Sequence, residues 1–475
     1  MSGLPSIEPR RRSSGRFTAQ RGLLPAYQAP VWRSLRTCVF ACRLAPCTTG
    51  RVWRRAPVCN IVKDVSKPSC VSGATRGFVS IGLAGIAALA SLGCDDGGPR
   101  VPARVIVSPD VVLVGSVGVT EQFEAHVVDA DGALIPGAAV SWSSSDESVA
   151  DIDPVGGRAT AVGAGIATIT ATAEPASGRA TFEVFLAEVT DYVPGQSYYG
   201  RRQYTEYIAG ELPIVLSAPH GGYELPEEIA DRTWGVVLQD RRTQELARTI
   251  GAAIYERTGG YPHVIICRLH RSKLDANREI GEAAQGNVYG EWAWSEYHSF
   301  IETAKAAVAE QYARGLYLDL HGHGHEIQRL ELGYLLSASD LELSDAELGQ
   351  PIYVNKSSIR TLAQEADAGF VALVRGPLSL GGLLDARGFP SLPSPAYPDP
   401  GGHPYYTGGY NTARHGSRQG GPISGVQVEA NWDGVRDNLS HREAFAAALA
   451  AALETYMIEH FGIAITGSAR ALADR

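Results

Sequence analysis

Two histidines and a glutamate stand where an α/β sheet could gather them. His220 lies in Ser217-Ala-Pro-His-Gly-Gly222, His321 in Leu318-Asp-Leu-His-Gly-His-Gly-His325, and Glu429 ends Gly425-Val-Gln-Val-Glu429. Two neutral imidazoles and one carboxylate can hold Zn²⁺ with one position open to water. A separate Glu can then take a proton from that water. These residue types therefore predict metal-assisted hydrolysis. Cys267 sits inside an apolar run and is expected to be an inert buried thiol.

The elements needed to position such a site are legible from about Glu211 onward, where apolar runs alternate with amphipathic segments. Ile214–Ser217, His263–Leu269, Leu316–Leu320 and Gly425–Glu429 read as strands. Leu246, Ile250, Ala253 and Ile254 share one helical face, which predicts a helix over 242–256. Further helices are expected near 295–313 and over 441–460, and the Gly- and Pro-rich stretch 376–421 reads as a long loop over the site. The polar residues then fall at the C-terminal ends of strands, where open α/β sheets place ligands.

On these motifs the segment resembles the N-formylglutamate amidohydrolase family, whose fold is related to zinc carboxypeptidases. The resemblance runs over most of 205–460 and is carried by SAPHGGYELP, LQDRRTQEL, KLDANR, LDLHGHGH, GGYNTARHG and GVQVEANWDGVRD. It implies that His220, Asp240 and His321 bind one Zn²⁺ per chain and that Glu429 is the general base. It also implies that Asn277, Arg278 and Arg414 bind substrate, with the two arginines placed to clamp its carboxylate, although either arginine could equally be a structural salt-bridge partner. The chain departs from the family at Asp275-Ala-Asn-Arg278 and at Asp319-Leu-His-Gly322, so the acyl group stays open. Asp240 could equally cap a helix, and Glu224, four residues after His220, competes as third ligand. His323 and His325 are assigned supporting roles in their loop.

From Val101 to Leu186 the texture changes to period-two alternation broken by Gly, Asp and Pro, as in Phe123, Ala125 and Val127 or Val140 and Trp142. This predicts an antiparallel β-sandwich. The run VSWSSSDESVADIDPVGGRATAVGAGIATITAT resembles a bacterial immunoglobulin-like domain of group 2, which implies a spacer or a cell-surface contact module over 101–187. Residues 187–210 read as a junction.

The front of the chain reads as an address. Residues 78–92, FVSIGLAGIAALASL, are too few for a membrane span. With Arg76 before them and Gly93-Cys94 after, 71–94 resemble a bacterial lipoprotein signal lipidated at Cys94. Residues 1–70 show no periodicity and are expected to be a disordered leader or a misassigned start. Their thirteen Arg and Lys oppose only Glu8 and Asp64, a surplus of eleven. The chain as a whole carries −9 over 475 residues, which leaves −20 for the remainder and argues against a nucleic-acid partner.

The resulting expectation is a multidomain chain, an immunoglobulin-like β-sandwich followed by a three-layer α/β domain of zinc-carboxypeptidase-like type over 205–465. It would be an exported, membrane-anchored lipoprotein on the periplasmic or extracellular face, hydrolysing the amide bond of an N-acyl amino acid or similar carboxylate-bearing substrate. The alternatives are a metallocarboxypeptidase or cell-wall peptide hydrolase, and a non-catalytic surface-binding protein.

Overall fold

The computed structural model describes residues 100–186 and 191–466. The leader over 1–70, the signal over 71–94 and Cys94 lie outside the described residues. Among the described residues no helix is long and apolar enough to cross a membrane.

Alternating side chains make the first module. Along Gly165–Ala173 the residues Ala167, Ile169, Ala171 and Ala173 are buried while their neighbours reach toward solvent. This strand pairs antiparallel with Ala176–Val184 and Ser141–Ser144, and Val111–Val114 completes that sheet. A second sheet holds Thr120–Gln122, Arg158–Ala161 and Ala150–Ile152, and Arg104–Ser108 pairs with Glu124–Val128. Between them Phe123 packs 6.2 Å from both Trp142 and Phe182, so Trp142 is a core aromatic. Gly157, at φ +70°, lies where a Cβ would stand 2.7 Å from the Trp142 ring, so the turn needs glycine there.

The second module is an eight-stranded sheet. From edge to edge it runs Ser197–Tyr199, Thr205–Ile208, His263–Cys267, Ile214–Ala218, Gly315–Gly322, Ile423–Ala430, Leu330–Gly333 and Ser391–Leu392. The central four strands are parallel. All five residues of Ile214–Ala218 and of His263–Cys267 are buried, as expected for strands covered on both faces. One apolar core joins the sheet to helices Thr243–Thr258 and Leu439–Tyr456, and another joins it to helix Val288–Tyr312. In the first of these helices Leu246, Ile250 and Ile254 recur every four residues on the buried face.

The chain leaves Ile214–Ala218 for a neighbour on one side, His263–Cys267, and later takes up Gly315–Gly322 on the other. This reversal opens a crevice at the C-terminal strand ends. Two expectations change here. Helix Val288–Tyr312 starts seven residues before 295, because the Asn287 side chain accepts the Gly290 N–H at 3.0 Å and caps it. The stretch 376–421 is not one loop: it contains helices Leu380–Asp385 and Tyr410–His415 and strand Ser391–Leu392.

Part of the expected junction also belongs to the sheet, since Ser197–Tyr199 and Thr205–Ile208 form its edge hairpin. Arg201, in the turn of that hairpin, is buried with its guanidinium 4.0 Å over Trp292 and 5.1 Å from Phe185. Glu183 of the sandwich lies 3.5 Å from it, and both oxygens of Glu296 accept its backbone N–H at 3.0 Å. Leu113 of the sandwich packs in the same apolar cluster as Tyr204, Tyr207 and Trp294. The two modules thus share a packed interface.

Candidate metal centre

Both histidines of the centre are delivered by strand ends, and its aspartate by the start of a helix. His220 follows Ile214–Ala218 by two residues, and His321 sits in Gly315–Gly322 directly beside Glu429 of the neighbouring strand. Asp240 lies three residues before helix Thr243–Thr258, whose flanking residue is Arg242, so its side chain is left to turn toward the histidines. The Nδ1 atoms of His220 and His321 lie 3.3 and 3.2 Å from the same Asp240 oxygen, Oδ2. That oxygen also accepts the Gly322 N–H at 3.2 Å.

The opposite nitrogens are held by carboxylates of their own. His220 Nε2 lies 2.7 Å from Asp275 Oδ1, and His321 Nε2 lies 2.8 Å from Asp319 Oδ2. Asp275 and Asp319 are fully buried. Asp275 is braced by Arg271 Nε at 3.0 Å, and Asp319 accepts the Ser217 hydroxyl at 2.6 Å. Asn277 places Nδ2 3.3 Å from His321 Nε2, while its Oδ1 accepts the Asn411 N–H.

This donor set fits a divalent cation. A tetrahedral zinc site with bonds of about 2.0–2.1 Å separates neighbouring donors by roughly 3.3 Å. The spacings of Asp240 Oδ2 from the two imidazole nitrogens match that edge. A carboxylate behind each ligating histidine, fixing its tautomer, is the usual support of such a centre. Charge points the same way. Burial opposes ionisation of Asp240, Asp275 and Asp319, yet the adjacent histidines outweigh it and hold all three below the ordinary carboxyl value. Burial also opposes protonation of His321, but Asp319 and Asp240 draw it well above the usual imidazole value. The pocket thus attracts positive charge, and a bound cation would displace the imidazole proton.

The centre opens into a cavity of about 340 Å³ bordered by Arg278, Tyr406 and Glu429 as well as the three donors. Burial raises the Glu429 carboxyl to about 8; His321 opposes the shift, while Asp240 and Glu331 add to it. Arg278 directs Nη1 to the Asn277 carbonyl and Nε to Glu282 at 3.2 Å, and the residue borders the cavity. Arg414 stands apart, 4.9 Å over the Trp294 ring and bonded to the Tyr410 hydroxyl. Glu224 also stands apart, half-exposed and paired with Arg268 at 3.1 Å. Cys267 is fully buried, and burial pushes its thiol up to about 12.

Sequence reasoning missed Arg271, Glu331, Gln427 and Tyr406. The role of Asp319 could have been read, since residues i and i+2 of a strand face the same side and Asp319 must therefore flank His321.

Residues 103–184 match the bacterial Ig-like domain (group 2) profile. No curated protein sequence matches the chain. Among solved structures, the N-formylglutamate amidohydrolase of Ralstonia eutropha JMP134 aligns over 54% of this chain and 96% of its own, at 12% identity and TM-score 0.33. Gene product Atu2144 of Agrobacterium tumefaciens aligns over 53% and 93%, at 14% identity and TM-score 0.31. Domains 4 and 5 of the S-layer protein SbsC align over 18% and 54%, at 21% identity and TM-score 0.16. The profile match and the two packed sheets together identify residues 103–184 as a bacterial Ig-like domain of group 2.

Proposed function

We propose that residues 205–465 form a zinc-dependent amide hydrolase of carboxypeptidase-like fold, carried outside the cytoplasm on a chain lipidated at Cys94. The observation that supports it best is the meeting of His220, His321 and Asp240 in one cavity with a protonatable Glu429. Bacterial Ig-like domains are typically extracellular or surface-associated, which agrees with export.

His220, Asp240 and His321 would hold the ion, which when bound supplies Lewis acidity toward an amide carbonyl and toward water. The chain's own residues do the rest. Asp275 and Asp319 keep both imidazoles oriented through their Nε2 atoms. Glu429, ionised when the charge of a bound cation stands beside it, would take the proton of the attacking water and pass it to the departing amine nitrogen as the C–N bond breaks. Arg278 offers a planar guanidinium to a substrate carboxylate at the cavity wall. The products are a carboxylic acid and an amine-bearing amino acid.

The test is turnover by the zinc-loaded full chain on a panel of N-acyl amino acids set against C-terminal and cell-wall peptides. Cleavage of the N-acyl amino acids supports the reading. Cleavage confined to the peptides moves the assignment to a peptidase, and no cleavage with zinc bound removes the hydrolase.

A further inference from the structure

His323, His325 and Glu331 form a second cluster of metal-ligating types beside the centre. Their hydrogen bonds argue for a different role. His323 Nε2 lies 2.8 Å from the Arg329 carbonyl and so carries the proton, while its Nδ1 accepts the His325 N–H at 3.1 Å. Both ring nitrogens are thus committed. His325 Nδ1 lies 2.8 Å from Glu331 Oε1, and Glu331 Oε2 accepts the Tyr406 N–H at 2.9 Å. Of the four ring nitrogens only His325 Nε2 is left without a protein partner, and both Glu331 oxygens already accept hydrogen bonds, so the cluster offers a cation at most one free imidazole.

The same bonds converge on Tyr406. The His325 ring lies flat on the Tyr406 ring, with centroids 4.7 Å apart and planes 5° from parallel. Glu331 is 1% exposed and sits opposite Glu429 in the antiparallel pair of strands, so it ties the Tyr406 backbone to the floor of the cavity. On either side the Tyr405 hydroxyl donates to the Leu332 carbonyl at 2.7 Å, and the Gly409 N–H to Gln427 Oε1 at 2.7 Å. Tyr406 borders the cavity. Burial, with the charges of Glu429 and Asp240, raises its phenol above the ordinary value and keeps it a donor.

We propose that Glu331 and His325 are positioning residues that lock Tyr406 at the cavity wall, where its hydroxyl donates to a substrate oxygen, and that their cluster binds no second metal. The substrate contact rests on the hydrolase reading; the clamp itself does not.

Two measurements on the zinc-loaded full chain test this. In the first, amide exchange is followed in the peptide covering 405–409, with zinc counted in the same samples. His325→Ala is expected to speed exchange there by about tenfold or more. Exchange over 318–322 and 426–430, and a zinc content of about one per chain, should not move. Glu331→Gln, which conserves shape, should act in the same direction. Unchanged exchange overturns the clamp, and so does a zinc content that falls from about two to about one in His325→Ala.

The second measurement is a double-mutant cycle on an N-formyl amino acid. Tyr406→Phe and His325→Ala should each lower kcat/KM by roughly 10–100-fold, with the pair no worse than the larger single loss. Independent, multiplying losses contradict a shared function. No turnover by the wild-type chain with about one zinc bound removes the substrate role of Tyr406 along with the hydrolase reading, and the exchange experiment still decides the clamp.

Discussion

His220 Nε2 lies 2.7 Å from Asp275 Oδ1, a carboxylate buried completely and braced in turn by Arg271 at 3.0 Å. This contact fixes the imidazole with its proton on Nε2 and leaves Nδ1 to face Asp240 Oδ2. The centre therefore depends on a residue that need not touch the ion.

Asp275→Asn should weaken zinc affinity by about 10–100-fold without unfolding the chain, because the amide still fills the site but no longer enforces the tautomer. Competition against a chelator of known affinity, with circular dichroism as the control for folding, measures it.

Glu429→Gln should lower turnover by roughly 10²–10⁴-fold and leave zinc content unchanged, since the amide keeps the shape and cannot carry the proton. Parallel elemental analysis and single-turnover assays separate the two effects. Loss of metal together with activity would show Glu429 to be a ligand.

Arg278→Ala should lower kcat/KM by about 10–100-fold, with Arg278→Lys recovering only part, because one ammonium cannot replace a bidentate fork. Arg414 stacks on Trp294, which itself donates to the Arg278 carbonyl at 2.8 Å. Its removal should therefore change kcat/KM by less than about fivefold, acting at one remove from the cavity.

Glu296 supplies a pH test of the junction. Burial lifts its carboxyl to about 7, although the N–H and charge of Arg201 pull the other way. An unfolded Glu ionises near 4.3. Between those values the folded chain holds a proton that the unfolded chain has lost, so this group's contribution to stability falls as pH rises from about 4.5 through 7. Glu296→Gln should gain about 3 kcal/mol over wild type between pH 4.5 and pH 8. Denaturant unfolding of both chains across that range gives the difference directly; a constant difference contradicts the burial.

The parts of this architecture that show in the sequence are those with strong local signals. Alternation at Phe123, Ala125 and Val127 and the apolar run at Ile214 mark strands because burial there repeats along the chain. The four-residue spacing of Leu246, Ile250 and Ile254 marks a helix for the same reason. What stays hidden depends on distant partners. Glu331 lies in a four-residue strand, Leu330–Gly333, whose place is set by pairing with Ile423–Ala430, far along the chain. Asp240 has the local look of a helix cap, and only the approach of His220 and His321 turns its carboxylate inward. Arg201 reads as a charged junction residue until Trp292 and Phe185 enclose it. Tyr406 falls in a Gly- and Pro-rich stretch whose fixed course depends on bonds to Glu331, Leu332 and Gln427.

The proposed chemistry depends first on one metal ion held by His220, Asp240 and His321. Elemental analysis of the purified full chain beside its His321→Ala variant tests it most directly. About one zinc per wild-type chain is expected, with its loss in the variant while folding is retained. No metal in either protein after zinc is supplied and excess removed, or equal metal in both, would contradict it.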